Sequence, residues 1–226
     1  MDGYEREVTR RELIRLGVAA GVAAVWLPRG LLWGWEADPL PITPSTTMGP
    51  FYPMVKPVDR DTDLTLVRGK RHRAKGQVIH VAGRVTDTRG EPIAGAEVEI
   101  WQANTFGRYD HPSDPNPAPL DPYFQGYGRQ LTDREGRYHF ITIKPAPYPV
   151  GRDNVRTPHI HFDVTGRVDR TVTQLFFPGE ALNESDGVLN GVRVGRERLV
   201  AEVLPPTAEM DPASRMVRWD IVMRRG

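Results

Sequence analysis

A chain of 226 residues, 39% apolar and 26% charged, suits one domain with its own core. Its net charge of +1 offers no basic footprint for nucleic acid, and a cysteine count of zero excludes disulfides, zinc–thiolate sites, iron–sulfur clusters and cysteine nucleophiles together. Any metal must then be held by His, Tyr or carboxylate, a donor set that favours a harder ion. The 21 Pro and 22 Gly point to short strands and turns rather than long helices.

Taken from its start, the chain places Thr9 before Arg10 and Arg11, with Leu13-Ile14 close behind and an uncharged run from Leu16 to Pro28. That run is about half of the roughly 20 apolar residues that span a bilayer. The pattern resembles a twin-arginine export signal. Residues 1–37 are therefore expected to be a signal-like helix and linker, with residues 38–226 as one folded domain. Export to the periplasm or beyond, without a stable membrane anchor, is the expected location; the cytoplasm is the alternative.

Residues 38–57 are rich in Pro, Thr and Ser and carry Gly49-Pro50-Phe51-Tyr52-Pro53, which predicts an extended arm. The basic stretch Arg68–Lys75 reads as a solvated loop. From Val78 the period becomes two: Ile79, Val81 and Val85, the turn Asp87–Pro92, then Ala96, Val98 and Ile100 against Glu97, Glu99 and Trp101, a hairpin signature. A long Pro-, Asp- and Gly-rich loop from Tyr109 to Leu131 is expected to shape a site entrance. Further strands are predicted at Arg137–Ile143, His159–Thr165, Thr171–Phe177 and Val217–Met223, with one short helix near Arg196–Val203. The sum is an all-β fold, a β-sandwich of mainly antiparallel strands with long loops around a central metal site.

The candidate site lies in Arg156-Thr157-Pro158-His159-Ile160-His161-Phe162. On a strand, His159 and His161 leave the same face and offer two nitrogen donors side by side. Tyr148, between Pro147 and Pro149, and Tyr109 complete the proposed set. Tyrosine binds a metal well only as phenolate, so its proton, lost in water near pH 10, must be displaced by a strongly acidic cation. Fe(III) qualifies; zinc and calcium do so poorly. Asp163, on the same predicted strand face, leaves open a two-His-one-carboxylate site. Tyr52 on the arm is a candidate to approach a substrate. His72, His80, His111 and His139 show no ligand spacing to another donor.

Several separated runs resemble the intradiol ring-cleavage dioxygenases, in family order: Trp101-Gln102-Ala103 to Gly107-Arg108-Tyr109, Ala118–Pro122, Leu131-Thr132-Asp133, Thr142–Pro149, Arg156–Phe162 and the terminal Arg218–Arg224. The resemblance covers roughly residues 42–226. It implies a non-haem Fe(III) centre between the layers of a β-sandwich, with Tyr109 and His161 as equatorial ligands and Tyr148 and His159 as axial ones. Arg156 would stabilise charge on the substrate ring, and Gln174 would line the pocket. A small aromatic diol would chelate the iron, displace Tyr148, and be cleaved by O2 between its two hydroxylated carbons to a cis,cis-muconate-type diacid. A homo-oligomer, or a hetero-oligomer with a related subunit, is implied as well. The chain departs from the family pattern at Val150, where Trp usually follows Tyr-Pro, and in the short span from Tyr148 to Arg156. The strand pattern of Val81–Ile143 also resembles a transthyretin-like or carboxypeptidase-regulatory binding module, the non-catalytic alternative.

Overall fold

The structure, a computed structural model, describes residues 38–151 and 154–224. The expected export segment lies outside them. Eleven strands form among the described residues: β1 (Val78–Asp87), β2 (Glu97–Trp101), β3 (Tyr127–Leu131), β4 (Arg137–Ile143), β5 (Tyr148–Val150), β6 (Asn154–Arg156), β7 (His159–Thr165), β8 (Arg170–Phe176), β9 (Glu202–Leu204), β10 (Arg215–Arg218) and β11 (Ile221–Met223). The fold is all-β, in two main sheets and a small ribbon.

In the first sheet β1 is central. It pairs antiparallel with β4, from Val78 opposite Ile143 to Arg84 opposite Arg137. Its other edge pairs parallel with β10 along Ile79–Ala82 and then with β11 along Val85–Asp87. The change of partner falls at Gly83. A Cβ there would overlap the Trp219 carbonyl oxygen, so only glycine allows the two backbones to approach so closely. The Tyr138 hydroxyl donates to that same carbonyl at 2.6 Å and fixes the crossing. The second sheet runs β3-β2-β7-β8, antiparallel throughout.

Period-two alternation decides what each sheet buries. Ile79, Val81, Val85, Phe140 and Val217 from the first sheet meet Val98, Ile100, Ile160, Phe162, Val164 and Leu175 from the second in one apolar core. A second, aromatic cluster of Phe51, Trp101, Ala103, Tyr109, Tyr127 and Tyr148 sits apart from it.

Four expectations need correction. Strands β1 and β2 form no hairpin: they lie in different sheets and face each other across the core. The turn after β1 folds back on its own strand, Ile93 N–H donating to the Val85 carbonyl at 2.9 Å, and Ala96 then enters the other sheet. The loop expected over Tyr109–Leu131 ends in β3, because Tyr127–Leu131 finds a partner in β2. The short helix near Arg196–Val203 is a single 3-10 turn, Arg196–Leu199, followed by strand β9. Among the described residues the one α-helical turn, α1 (Gly187–Gly191), lies earlier and is capped by Asp186. Finally, the histidine pair does not lie between the layers. On β7, Ile160 and Phe162 enter the core, so His159 and His161 leave the opposite face of the sheet.

Candidate metal centre

That outer face is covered by the N-terminal arm. Thr46 N–H donates to the Val172 carbonyl at 2.9 Å, and Gln174 Nε2 donates to the Thr47 carbonyl at 2.8 Å, which ties the arm to β8. Gly49 then passes against His161 with φ +71°, a backbone state open to glycine, and a Cβ there would stand 2.9 Å from the ring. Trp101 stacks flat on His161, centroids 4.8 Å apart at 11°. The imidazole is thus held by Trp101 and the arm.

His159 is fixed by its neighbour: Nδ1–H donates to the Thr157 carbonyl at 2.7 Å, which leaves the Nε2 lone pair facing the site. That Nε2 lies 3.2 Å from His161 Nε2 and 3.4 Å from the Tyr148 hydroxyl. Tyr109 meets Tyr148 edge-on, with centroids 5.2 Å apart. Its buried hydroxyl makes no well-formed hydrogen bond, although the Tyr148 hydroxyl interacts with it. Turn-forming polar side chains hold Tyr109 in place: Asn104 Oδ1 accepts from the Phe106 and Arg108 amides, and Asp114 Oδ2 accepts from the Tyr109 amide at 2.7 Å. Phe51 from the arm closes over Tyr109 at 4.8 Å. Behind Tyr109 lies a recess of about 330 Å3, lined by Phe51, Trp101, Tyr127 and His111 among others and by none of the other three donors.

Electrostatics prepare the two imidazoles to be neutral. Burial, then the Arg156 charge, lowers His159 to about 3. Burial, then His159 and Arg156, sets His161 well below its ordinary value. Both tyrosines are pushed up, Tyr109 by burial and then by Tyr148, Tyr148 by burial against the opposing pull of Arg156. Four buried donors therefore converge: two ready lone pairs, and two phenols that only a strongly Lewis-acidic cation can deprotonate. The donor set fits ferric iron.

Arg156 stands directly opposite Tyr148 in the β5–β6 ribbon. Its Nε donates to Asp186 Oδ2 at 2.7 Å and one Nη donates to Gln174 Oε1 at 2.7 Å. Gln174 is thus a fully buried brace between Arg156 and the arm. Asp186 escaped the sequence reading. Its signal was available: an Asp directly before Gly187-Val188-Leu189 is a helix N-cap pattern.

The carboxylate alternative is not assembled. Asp163 is gripped by Arg170 at 2.9 and 2.5 Å, and among the described residues no group of three His, Cys, Asp or Glu side chains is placed to hold a metal. The Tyr52 hydroxyl donates to Glu99 at 2.7 Å, beside the Lys56–Glu99 ion pair. His80 and His139, which show no ligand spacing in the sequence, stack across β1 and β4 with Nδ1 and Nε2 3.1 Å apart. The Arg68–Lys75 loop is exposed as expected, apart from Ala74.

A family model described as Dioxygenase matches residues 47–225. The chain belongs to the intradiol ring-cleavage dioxygenases. It is 38% identical to the protocatechuate 3,4-dioxygenase beta chain of Burkholderia cepacia over 216 residues, 84% of this chain and 92% of that one. It is 30% identical to the hydroxyquinol 1,2-dioxygenase of Corynebacterium glutamicum, over 81% of this chain but 64% of that longer enzyme. The solved dioxygenase domain of a dioxygenase–carbohydrate-binding fusion from Streptomyces sp. SirexAA-E covers 82% of this chain and is covered completely, at 27% identity and a TM-score of 0.62. As an intradiol dioxygenase the chain is an enzyme, and the non-catalytic binding-module reading gives way.

Proposed function

We propose that Tyr109, Tyr148, His159 and His161 hold one non-haem Fe(III), and that the protein uses O2 to cleave a catechol-type ring between its two hydroxylated carbons, yielding a cis,cis-muconate-type diacid. The observation that carries this reading is the convergence of two buried phenols and two neutral imidazoles beside one buried guanidinium. Bound Fe(III) would supply Lewis acidity and a template for a chelating diol. The chain's own groups do the rest. The His159 and His161 lone pairs are preorganised, His159 by the Thr157 carbonyl and His161 by Trp101. Tyr148 Oη would be placed to accept one hydroxyl proton from the diol. Arg156 lies beside Tyr148 with its charge fixed by Asp186 and Gln174, and so stabilises negative charge developing on the ring. Both oxygen atoms of O2 enter the product as the ring C–C bond breaks.

Catechols as the substrate class follow from the similar enzymes, whose names specify protocatechuate, hydroxyquinol and catechol. A further proposal is assembly with itself or a related subunit: the similar Burkholderia protein is named a beta chain, and the arm presents Met54, Val55 and Val58 at 72, 86 and 94% exposure. Export by the twin-arginine route is proposed from Thr9-Arg10-Arg11 and the following apolar run.

Metal analysis and colour test the centre. Iron-loaded protein should be burgundy to red from phenolate-to-iron charge transfer, Tyr148→Phe should shift that band, and oxygen uptake should follow addition of catechol, protocatechuate, hydroxyquinol or a chlorocatechol. Folded protein that binds no iron and takes up no oxygen with any of them would end this reading.

A further inference from the structure

Asp186 makes contacts in three directions while fully buried. Oδ2 accepts from Arg156 Nε at 2.7 Å and from the Thr157 amide at 3.1 Å, and Oδ1 accepts from the Val188 and Leu189 amides at 3.0 Å each, capping α1. The carbonyl of the same residue, Thr157, receives the His159 Nδ1–H at 2.7 Å. One carboxylate therefore touches the guanidinium directly and reaches the imidazole through a single residue. Thr157 is further pinned by its own hydroxyl, 2.8 Å from Asn183 Oδ1, and Asn183 lies in the 3-10 turn just before Asp186. Arg156 has one other strong anchor, the neutral Gln174. A buried guanidinium needs a full counter-charge to stay in place, and Asp186 carries that charge.

We infer that Asp186 is a positioning residue: through Arg156 it fixes the charge beside Tyr148, and through Thr157 it fixes the direction of the His159 lone pair. It touches neither substrate nor metal. The activity arm of the test rests on the ring-cleavage reading; the stability arm rests on geometry alone.

The experiment is a double-mutant cycle of Asp186→Asn and Arg156→Ala. Asparagine retains a good helix cap and removes the charge. The expected results are these. Asp186→Asn folds and keeps its iron, its charge-transfer band shifts as His159 is released, and kcat/KM drops at least tenfold. In the Arg156→Ala background the same change lowers the residual kcat/KM by a clearly smaller factor than in wild type, the remainder being the loss carried through Thr157 to His159. Melting of the metal-free proteins shows the same non-additivity, which a cap-only role would not produce, because capping is indifferent to Arg156. Additive losses in both melting and kcat/KM, or Asp186→Asn within threefold of wild type, overturn the proposal. If the asparagine protein fails to fold, Asp186→Ser retains a cap acceptor and takes its place; failure of both assigns Asp186 to folding and overturns the positioning role. Wild type without iron or oxygen uptake sinks the ring-cleavage reading alone, since the melting cycle is read on metal-free protein.

Discussion

Tyr148 and Arg156 are cross-strand partners in a three-residue ribbon, so a proposed metal ligand and the site's fixed positive charge share one backbone register. The ribbon has no room for slippage: a one-residue shift would turn Arg156 to the other face and break its bonds to Asp186 and Gln174. Arg156→Lys keeps the charge but loses the two-directional fork of the guanidinium. The expected outcome is iron content unchanged with kcat lowered by about 100-fold, the scale of losing an aligned stabilising donor. Steady-state oxygen uptake with metal analysis on the same sample checks it; a kcat within threefold of wild type would show that Arg156 acts only in packing.

Three of the four proposed donors stand out locally, two histidines at strand spacing and a tyrosine caged by prolines, whereas Tyr109 was singled out by the family resemblance. Strands β1, β2, β4, β7, β8 and β11 were legible for the same local reason, period-two burial, whereas β3 and β9 were not. What escaped was long-range. Nothing in Val78–Trp101 says that β1 and β2 part to opposite sheets, since both show the same alternation whether they pair or face each other across a core. Asp186 and Gln174 meet Arg156 from 30 and 18 residues away, and the arm's grip on β8 spans 127 residues. Such contacts are set by packing of the whole chain, which local periodicity does not encode.

Gly49 turns the arm against His161, and replacing it tests that contact. Alanine there meets two penalties: a left-handed backbone at φ +71° and a Cβ 2.9 Å from the imidazole. Strain at such a position costs on the order of 1–3 kcal/mol. Gly49→Ala is expected to lose about that much in denaturant melting and to weaken iron retention, because Trp101 on the other side of His161 leaves the ring little room to retreat. Unchanged stability together with full iron retention would mean that the arm does not press on the ligand.

Glu99 gives a pH signature independent of the metal. Its side chain is 4% exposed and paired with Lys56 and Tyr52. Burial alone would raise its pKa, but the bonds from Lys56 and Tyr52 outweigh burial and hold it below the ordinary 4.5. Between the depressed value and 4.5 the unfolded chain binds more protons than the native one, so stability rises with pH through that window. The contribution is complete above 4.5 and is lost as pH falls through the folded value. Glu99→Gln should cost roughly 2 kcal/mol at pH 7, as expected for losing a charged hydrogen-bond partner in a buried site. Its deficit against wild type should close as the pH drops below 4.5. Melting midpoints of both proteins between pH 3 and 7 read this directly, and a deficit that widens on acidification would reverse the assignment.

Gly83 is where the first sheet changes partners, and it should be the least replaceable glycine of the scaffold. Any Cβ there drives into the Trp219 carbonyl, which already accepts the Tyr138 hydroxyl, while the Trp219 amide donates to the Ala82 carbonyl at 3.0 Å. Relief requires the β1 and β10–β11 backbones to separate. That would strand buried polar groups and open the core where Phe162 packs on Trp219 at 4.9 Å. Losses of this kind reach about 4 kcal/mol or more, a large share of the stability of an ordinary domain. Gly83→Ala should therefore melt far below wild type or accumulate as insoluble protein, whereas Gly187→Ala, whose Cβ meets nothing within 4 Å, should melt close to it. Comparable melting of the two variants would show that the strands part at Gly83 without penalty.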